Sequence, residues 1–138
     1  DQELSKVARS KLKIHFTPHL LPMFRGILST IYLELKGNNN AKKIYLTLKK
    51  YHKNNFFVKI GKFNSPIGTG DVINTNYCKI SVCQNRTKNK VIIISAIDNL
   101  IKGASGQAVQ NMNIFKNFNE NLDFVFYSKV SRYGSTIC

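Results

Sequence analysis

The residues with the most chemical promise lie in the run from Asp98 to Met112, where Gly103, Gly106, Gln107 and Gln110 fall within eight positions. The run reads as a helix, yet two glycines stand in its first turns, and each costs about 1 kcal/mol relative to alanine. Such a cost implies something close to the backbone, either another chain segment or a ligand. Wound at ~3.6 residues per turn, Ile101, Ala104, Ala108, Met112 and Phe115 form an apolar stripe. Gly103, Gln107 and Gln110 fall on the other side. An apolar back with small residues and amides in front suits a helix that lines a polar pocket.

Other elements must hold that helix. Gln2 to Leu12 places Leu4, Val7 and Ala8 at helical spacing, and Lys13 to Phe16 is a short strand candidate. Thr17 to Phe24 contains Pro18 and Pro22 and reads as a loop, because proline continues neither a helix nor a ladder. Gly26 to Lys36 alternates as a long strand, and Gly37-Asn38-Asn39-Asn40 supplies turn residues. Ala41 to His52 repeats apolar positions at i, i+3, i+4 and i+7, which predicts an amphipathic helix. Phe56 to Ile60 reads as a strand, Gly61 to Gly70 as a loop, and Asp71 to Ile73 as a short strand candidate. Tyr77 to Gln84 and Lys90 to Ile97 form a hairpin whose second strand, with Val91-Ile92-Ile93-Ile94, is apolar on both faces and therefore central. The order predicts an α+β fold: a mixed, largely antiparallel sheet with helices packed on one face.

The chain has 138 residues, enough for one domain with its own core. No apolar run approaches the ~20 residues of a membrane span, and no secretory signal is visible. The chain starts at Asp1, so we expect a piece that begins in mid-protein. The net charge is +14, from 21 Lys+Arg against 7 Asp+Glu. One reading is a surface for nucleic acid; the other is the Lys- and Asn-rich composition of an AT-rich genome, which the scatter of the lysines favours. Only Lys42, Lys43, Lys49, Lys50 and Lys53 gather, on the solvent face of a helix. Three cysteines (Cys78, Cys83, Cys138) without a Cys-x-x-Cys suggest neither disulfides nor zinc, and they fit a reducing, cytoplasmic setting. No Gly-x-Gly-x-x-Gly is present, so no dinucleotide-binding half is visible.

The segment from Phe16 to Ile27 (Phe-Thr-Pro-His-Leu-Leu-Pro-Met-Phe-Arg-Gly-Ile) resembles a motif of the N-acetyl-γ-glutamyl-phosphate reductases of arginine biosynthesis. Three more segments match in order: Asp1-Gln2-Glu3-Leu4-Ser5, Asn76-Tyr77-Cys78, and Ser95 to Asn113. The likeness spans residues 1–124. It implies the C-terminal catalytic and dimerisation domain of an NADPH-dependent enzyme, similar in plan to glyceraldehyde-3-phosphate and aspartate-semialdehyde dehydrogenases. Such enzymes reduce N-acetylglutamyl 5-phosphate to the 5-semialdehyde through a cysteine thioester, with a histidine managing protons. The family's cysteine lies in a Gly-Cys-Tyr segment, which neither Cys78 nor Cys83 matches, and its histidine lies just before Asp-Gln-Glu-Leu. No catalytic residue is therefore expected in this chain, and the fragment alone should be inert. NADPH would be bound mainly by a missing N-terminal domain, and homo-oligomerisation would run through this one.

What the resemblance leaves here is pocket wall. Thr17 and His19 would offer a hydroxyl and an imidazole to the acyl phosphate, and Arg25 a charge-assisted contact to phosphate or carboxylate. Gly26 would allow close backbone approach. Gly103, Gln107 and Gln110 would face the nicotinamide end of the cofactor. We expect Arg25 and Gln107 to border one cavity. His15, His52 and Tyr77 read as packing or surface residues, no metal ligand set is visible, and Val125 to Cys138 forms a tail that matches nothing in the family. The alternatives are a non-catalytic oligomerisation remnant, a basic nucleic-acid-binding module, for which no aromatic-basic strand pattern is present, and the sister aspartate-semialdehyde dehydrogenase, against which the Thr17 to Gly26 wording argues.

Overall fold

The computed structural model describes residues 2–124; the tail 125–138, with Cys138, lies outside the described residues. Helix α1 (Gln2–Ala8) ends at Arg9, whose φ of 51° leaves the helical region. It buries none of its residues. From Ser10 to Gly26 the chain is irregular and mostly exposed. The strand expected at Lys13 to Phe16 does not form: the segment runs exposed and irregular, and the four-stranded sheet begins only at Ile27.

Strand β1 (Ile27–Glu34) then begins a sheet of four strands. Helix α2 (Ala41–Tyr51) and strand β2 (Val58–Ile60) follow, then a 3-10 turn (Thr69–Asp71), strands β3 (Cys78–Gln84) and β4 (Lys90–Ile97), and the closing helix α3 (Gly106–Phe115). The spatial order is β1-β4-β3-β2. The pairs β1/β4 and β3/β4 are antiparallel and β2/β3 is parallel. The fold is thus α+β with a mixed, largely antiparallel sheet, and β4 is central, as its doubly apolar run predicts. Residues 71–73 do not form a strand. Asp71 turns its carboxylate back to the Gly68 N–H at 2.9 Å and to Lys79 Nζ at 2.9 Å, which favours a tight turn over an extended segment.

Helix α2 starts where Asn40 caps it, accepting from the Lys43 N–H at 2.8 Å. Its Ala41 and Tyr45 are buried against Val82 and Val91, with Ile44, Leu48, Ile60, Phe63 and Ile93 packed around them. Val82, Ile93 and Val91 share one sheet face by alternation, and Ile97 and Cys78 continue it. The head of the last helix lies at that second end: a Cβ on Gly103 would stand 3.7 Å from the Ile97 Cδ1. Both helices therefore lie on the same side of the sheet. On the other side the 3-10 turn crosses near Lys79 and Ala96, and every residue of β1 is left exposed.

Gly26 sets the entry to β1. Its φ is +111°, and a Cβ there would lie 2.6 Å from Cβ and Cγ2 of Thr69. Gly26→Ala is expected to destabilise by about 2–4 kcal/mol, combining backbone strain with overpacking. Gly68→Ala, where a Cβ would meet nothing within 4 Å, serves as the control. Urea midpoints that fall together for both variants, or for neither, would contradict this account.

Candidate functional site

The junction between β4 and the last helix is built on one carboxylate. Asp98 is fully buried. Its Oδ1 accepts from the N–H groups of Leu100 at 2.9 Å and Ile101 at 3.0 Å, capping the first turn of the helix. Its Oδ2 accepts from the Asn74 N–H at 2.7 Å, just before β3. Arg25 Nε approaches both oxygens, at 3.0 Å and 2.8 Å. Next door, Asn99 Oδ1 accepts from the Gly26 N–H at 2.7 Å. Three stretches far apart in sequence, before β1, before β3 and after β4, are thus tied at one point. Desolvation pushes the Asp98 carboxyl pKa up, but the Asn74 N–H, the Arg25 guanidinium and the two helix N–H groups together outweigh it and hold it below the ordinary value.

The first turn beyond this cap is wound wide. Gly103 N–H donates to the Asp98 carbonyl at 2.9 Å and Ser105 N–H to the Leu100 carbonyl at 3.3 Å, each spanning five residues. Residues Ile101–Ser105 form this π turn, and α3 continues from Gly106. Gly106 is where the backbone is approached by another segment. A Cβ there would overlap Asn76 Oδ1 and lie 2.9 Å from the Ile101 carbonyl oxygen.

The face that α3 turns inward is the opposite of the expected one. Gly106, Gln110 and Asn113, spaced i, i+4 and i+7, are its buried residues. Ala104 and Ala108 are exposed, Met112 is 52 % exposed and Phe115 80 % exposed. The apolar stripe therefore looks outward. Gln110 has both of its amide atoms hydrogen-bonded, which offsets the cost of its burial, whereas Asn113 bonds through Nδ2 and its buried Oδ1 has no partner among the described residues. Gln110 Oε1 accepts from Lys102 Nζ at 2.7 Å and from Asn76 Nδ2 at 3.2 Å, while its Nε2 donates to Glu120 Oε2 at 2.9 Å. Glu120 in turn accepts from the Phe56 N–H at 3.0 Å, and Asn113 Nδ2 donates to the Leu122 carbonyl at 3.0 Å. Burial pushes the Lys102 ammonium pKa down, against the opposing pull of Cys78 and Glu120.

Of the residues singled out in the sequence, the structure joins Arg25, Gly26 and Gly103 around the Asp98 junction. Arg25 Nη1 also donates to Asn74 Oδ1 at 3.1 Å, so two of its nitrogens are engaged within the chain. Gln107 is half-buried on α3, and its Nε2 donates to Asn111 Oδ1 at 2.8 Å. Gln110 is turned inward and its amide is occupied, so it does not front a pocket. Thr17 and His19 lie exposed on the irregular stretch, with no hydrogen bond to Arg25, Asp98 or the last helix among the described residues. A cleft of about 520 Å³ lies at the opposite end of the sheet and touches neither Arg25 nor Gln107. Sequence reasoning missed Asp98 and Asn99 as the organising pair. The available signal was an Asp directly before a helical period, an N-cap preference.

His15 is exposed and His52 half-buried against Tyr51. Tyr77 packs with Phe56 and Phe57 beside β2. Cys78 and Cys83 are free and half-buried on β3. Among the described residues no cluster of metal-ligating side chains occurs, and no helix is long and apolar enough to cross a membrane.

A family profile described as semialdehyde dehydrogenase, dimerisation domain, matches residues 1–99. The chain belongs to that family. Relatives with the name N-acetyl-gamma-glutamyl-phosphate reductase are similar to it over most of its length. The one from Thermoanaerobacter pseudethanolicus is 47 % identical over 127 residues, covering 91 % of this chain and 37 % of that protein. The one from Geotalea daltonii is 46 % identical, covering 88 % and 35 %, and the one from Staphylococcus aureus is 42 % identical, covering 86 % and 34 %. The chain therefore spans little more than a third of the length of these relatives.

Asp98→Asn is expected to destabilise the domain by about 3 kcal/mol, because it leaves the part-buried Arg25 without its counter-charge. The lowered pKa also fixes the sign of a pH effect. The stabilisation is present above the unfolded value of 3.8 and is lost as pH falls through the folded value below it. Urea melts from pH 7 down to acid should show a loss below about pH 4 that is smaller in the Asp98→Asn chain. Parallel curves for the two would refute the role given to this carboxylate.

Proposed function

We propose that the chain is the substrate-binding and dimerisation half of a cytoplasmic, NADPH-dependent reductase that converts N-acetyl-L-glutamyl 5-phosphate to N-acetyl-L-glutamate 5-semialdehyde and phosphate. The observation that carries this reading is the 47 % identity over 91 % of the chain with a reductase of that name. The nucleotide-binding half, the cysteine nucleophile and the histidine belong to the rest of the protein. By itself this chain has no catalytic group.

Within that reading, Arg25 is the anion contact. Asp98 and Asn74 fix its Nε and Nη1, which leaves Nη2 to meet a substrate oxygen from a preset position. Thr17 and His19 sit on an arm that is exposed here and would close over the acyl phosphate once the other half is present. Gly26 keeps the backbone close beside Arg25.

The last helix suits the nicotinamide end of the cofactor, which supplies hydride when bound. Gly103 is exposed, and a Cβ there would make only ordinary contacts inside the chain, the nearest at 3.6 Å. Its bare backbone is therefore not needed for internal packing and leaves room for a flat ring. Gln107 Oε1 can accept from a carboxamide while its Nε2 stays with Asn111. Gln110 acts behind them, through the Lys102 and Glu120 bridge, as a positioning residue. The outward stripe of Ala108, Met112 and Phe115 is the surface that the nucleotide-binding half would cover.

Homo-oligomerisation would use the open side of the sheet. Tyr32, on β1, is 70 % exposed and shares its face with Leu28, Ile92 and Ile94. A row of apolar side chains on an exposed edge strand is a surface that soluble proteins normally cover.

Two tests follow. The chain co-expressed with the remaining portion of a reductase relative should oxidise NADPH in the presence of N-acetylglutamyl phosphate, whereas the chain alone should not. In that assembly Gly103→Ala should keep or raise thermal stability, since alanine is the better helix former by about 1 kcal/mol, while raising the KM for NADPH. An assembly that forms but stays inactive would favour the oligomerisation remnant. Separately, Tyr32→Lys should shift the chain to a smaller species in sedimentation without changing its circular dichroism; an unchanged mass would exclude this face.

A further inference from the structure

At the end of the sheet farthest from Asp98, an open cleft of about 520 Å³ lies between the start of α2 and the turn joining β3 to β4. Its size falls inside the range of about 300–1,000 Å³ typical of small-molecule sites. Nothing in the proposed reductase chemistry uses it. Four cations from three elements line it: Lys42 from α2, Arg86 and Lys88 from the turn, and Lys90 from the start of β4. No Asp or Glu lines it, and among the described residues none of the four cations forms an ion pair. Lysines elsewhere do find carboxylates, as Lys79 does with Asp71 and Lys6 with Glu3. The nearest acid by register is Glu34, opposite Lys90 across the β1/β4 ladder, and it offsets one charge at the rim.

The wall is positioned rather than loose. Lys42 Nζ lies over the rings of Tyr45 and Phe63, 5.2 Å and 4.9 Å from their centroids, so its head group is held at the mouth. The turn that carries Arg86 and Lys88 is pinned by the Thr87 N–H donating to Asn85 Oδ1 at 2.9 Å and by Asn89 at φ 61°. Like charges gathered around one hollow repel unless an anion joins them. A single small anion would reach only part of such a spread. A chain of phosphates would meet cations on each side, with Arg86 able to grip two oxygens at once.

We propose that this cleft is a binding site for a compact oligophosphate group, either free or as the triphosphate of a nucleotide. The concave shape favours this over an extended nucleic acid. A strand of nucleic acid would instead track the outward lysines of α2, of which Lys50 and the neighbouring Lys53 lie outside the cleft lining.

The test is a calorimetric titration of the full chain with inorganic tripolyphosphate, ATP and sulfate at about 0.15 M salt, where the Debye length is about 8 Å and diffuse attraction is largely screened. Tripolyphosphate is expected to bind saturably at one site and sulfate far more weakly. Arg86→Ala combined with Lys88→Ala should weaken binding about tenfold or more, as should Lys42→Met alone on a second wall, while Lys50→Ala with Lys53→Ala should change it less than about twofold. Thermal melts equal to the parent chain confirm that the exposed substitutions leave the fold intact. Equal affinity for ATP and tripolyphosphate assigns the site to the phosphate chain alone; tighter ATP binding assigns it to a nucleotide. Absence of saturable binding, equal losses from the two double variants, or tighter binding of a single-stranded oligonucleotide through Lys50 and Lys53 would overturn the proposal.

Discussion

The buried carboxylate of Asp98 is the constraint on which the rest of the candidate site depends. A carboxylate out of water is costly unless every lone pair is used by a donor. Here the donors are the Arg25 guanidinium, the Asn74 N–H and the first free N–H groups of the last helix. Each donor comes from a different stretch, so satisfying one charge fixes three chain segments relative to each other. The direction of the last helix, the start of β1 and the approach to β3 are then no longer independent. Arg25 gains its fixed pose from the same contact.

The second layer of organisation is the inward amide face of α3. Gln110 bridges Lys102 to Glu120, and Glu120 reaches the Phe56 N–H before β2. This network links the helix to the chain that follows it and to the far strand of the sheet. Such bonds are strong where the local dielectric is low, and they fail together when one member is removed. Holding the helix by amides on its inner side frees its apolar side for something else.

The same division appears in the sheet. Helix α2 covers one face at the hairpin end, around Val82 and Val91, and the head of the last helix covers the other end of that face. The edge strand β1 stays exposed along its whole length. Among the described residues the buried core is small and many large apolar side chains are left outside it, the kind of surface that soluble proteins normally cover. Family membership as a dimerisation domain agrees with such a surface.

Local chemistry was legible in the residues themselves. Alternation placed β1, β3 and β4, the apolar period placed α2, and the doubly apolar run around Ile92 marked β4 as central, because side-chain period and backbone geometry are fixed within one element. Of the two glycines of the last helix, Gly106 announced a close approach, by Asn76 and the Ile101 carbonyl, whereas Gly103 is exposed and has only ordinary contacts within the chain. Tertiary structure decided what periodicity cannot. A period shows that a helix has two faces but not which one a neighbour will cover, and here the hydrogen-bond partners at Asn76 and Glu120 drew the amides inward and left Met112 and Phe115 outside. Residues 13–16 and 71–73 carried strand-like composition, yet the first stayed irregular and exposed and the second turned, where Asp71 bonds back to Gly68. Arg25 and Asp98, separated by 73 positions, could be recognised as a pair only once the chain had folded.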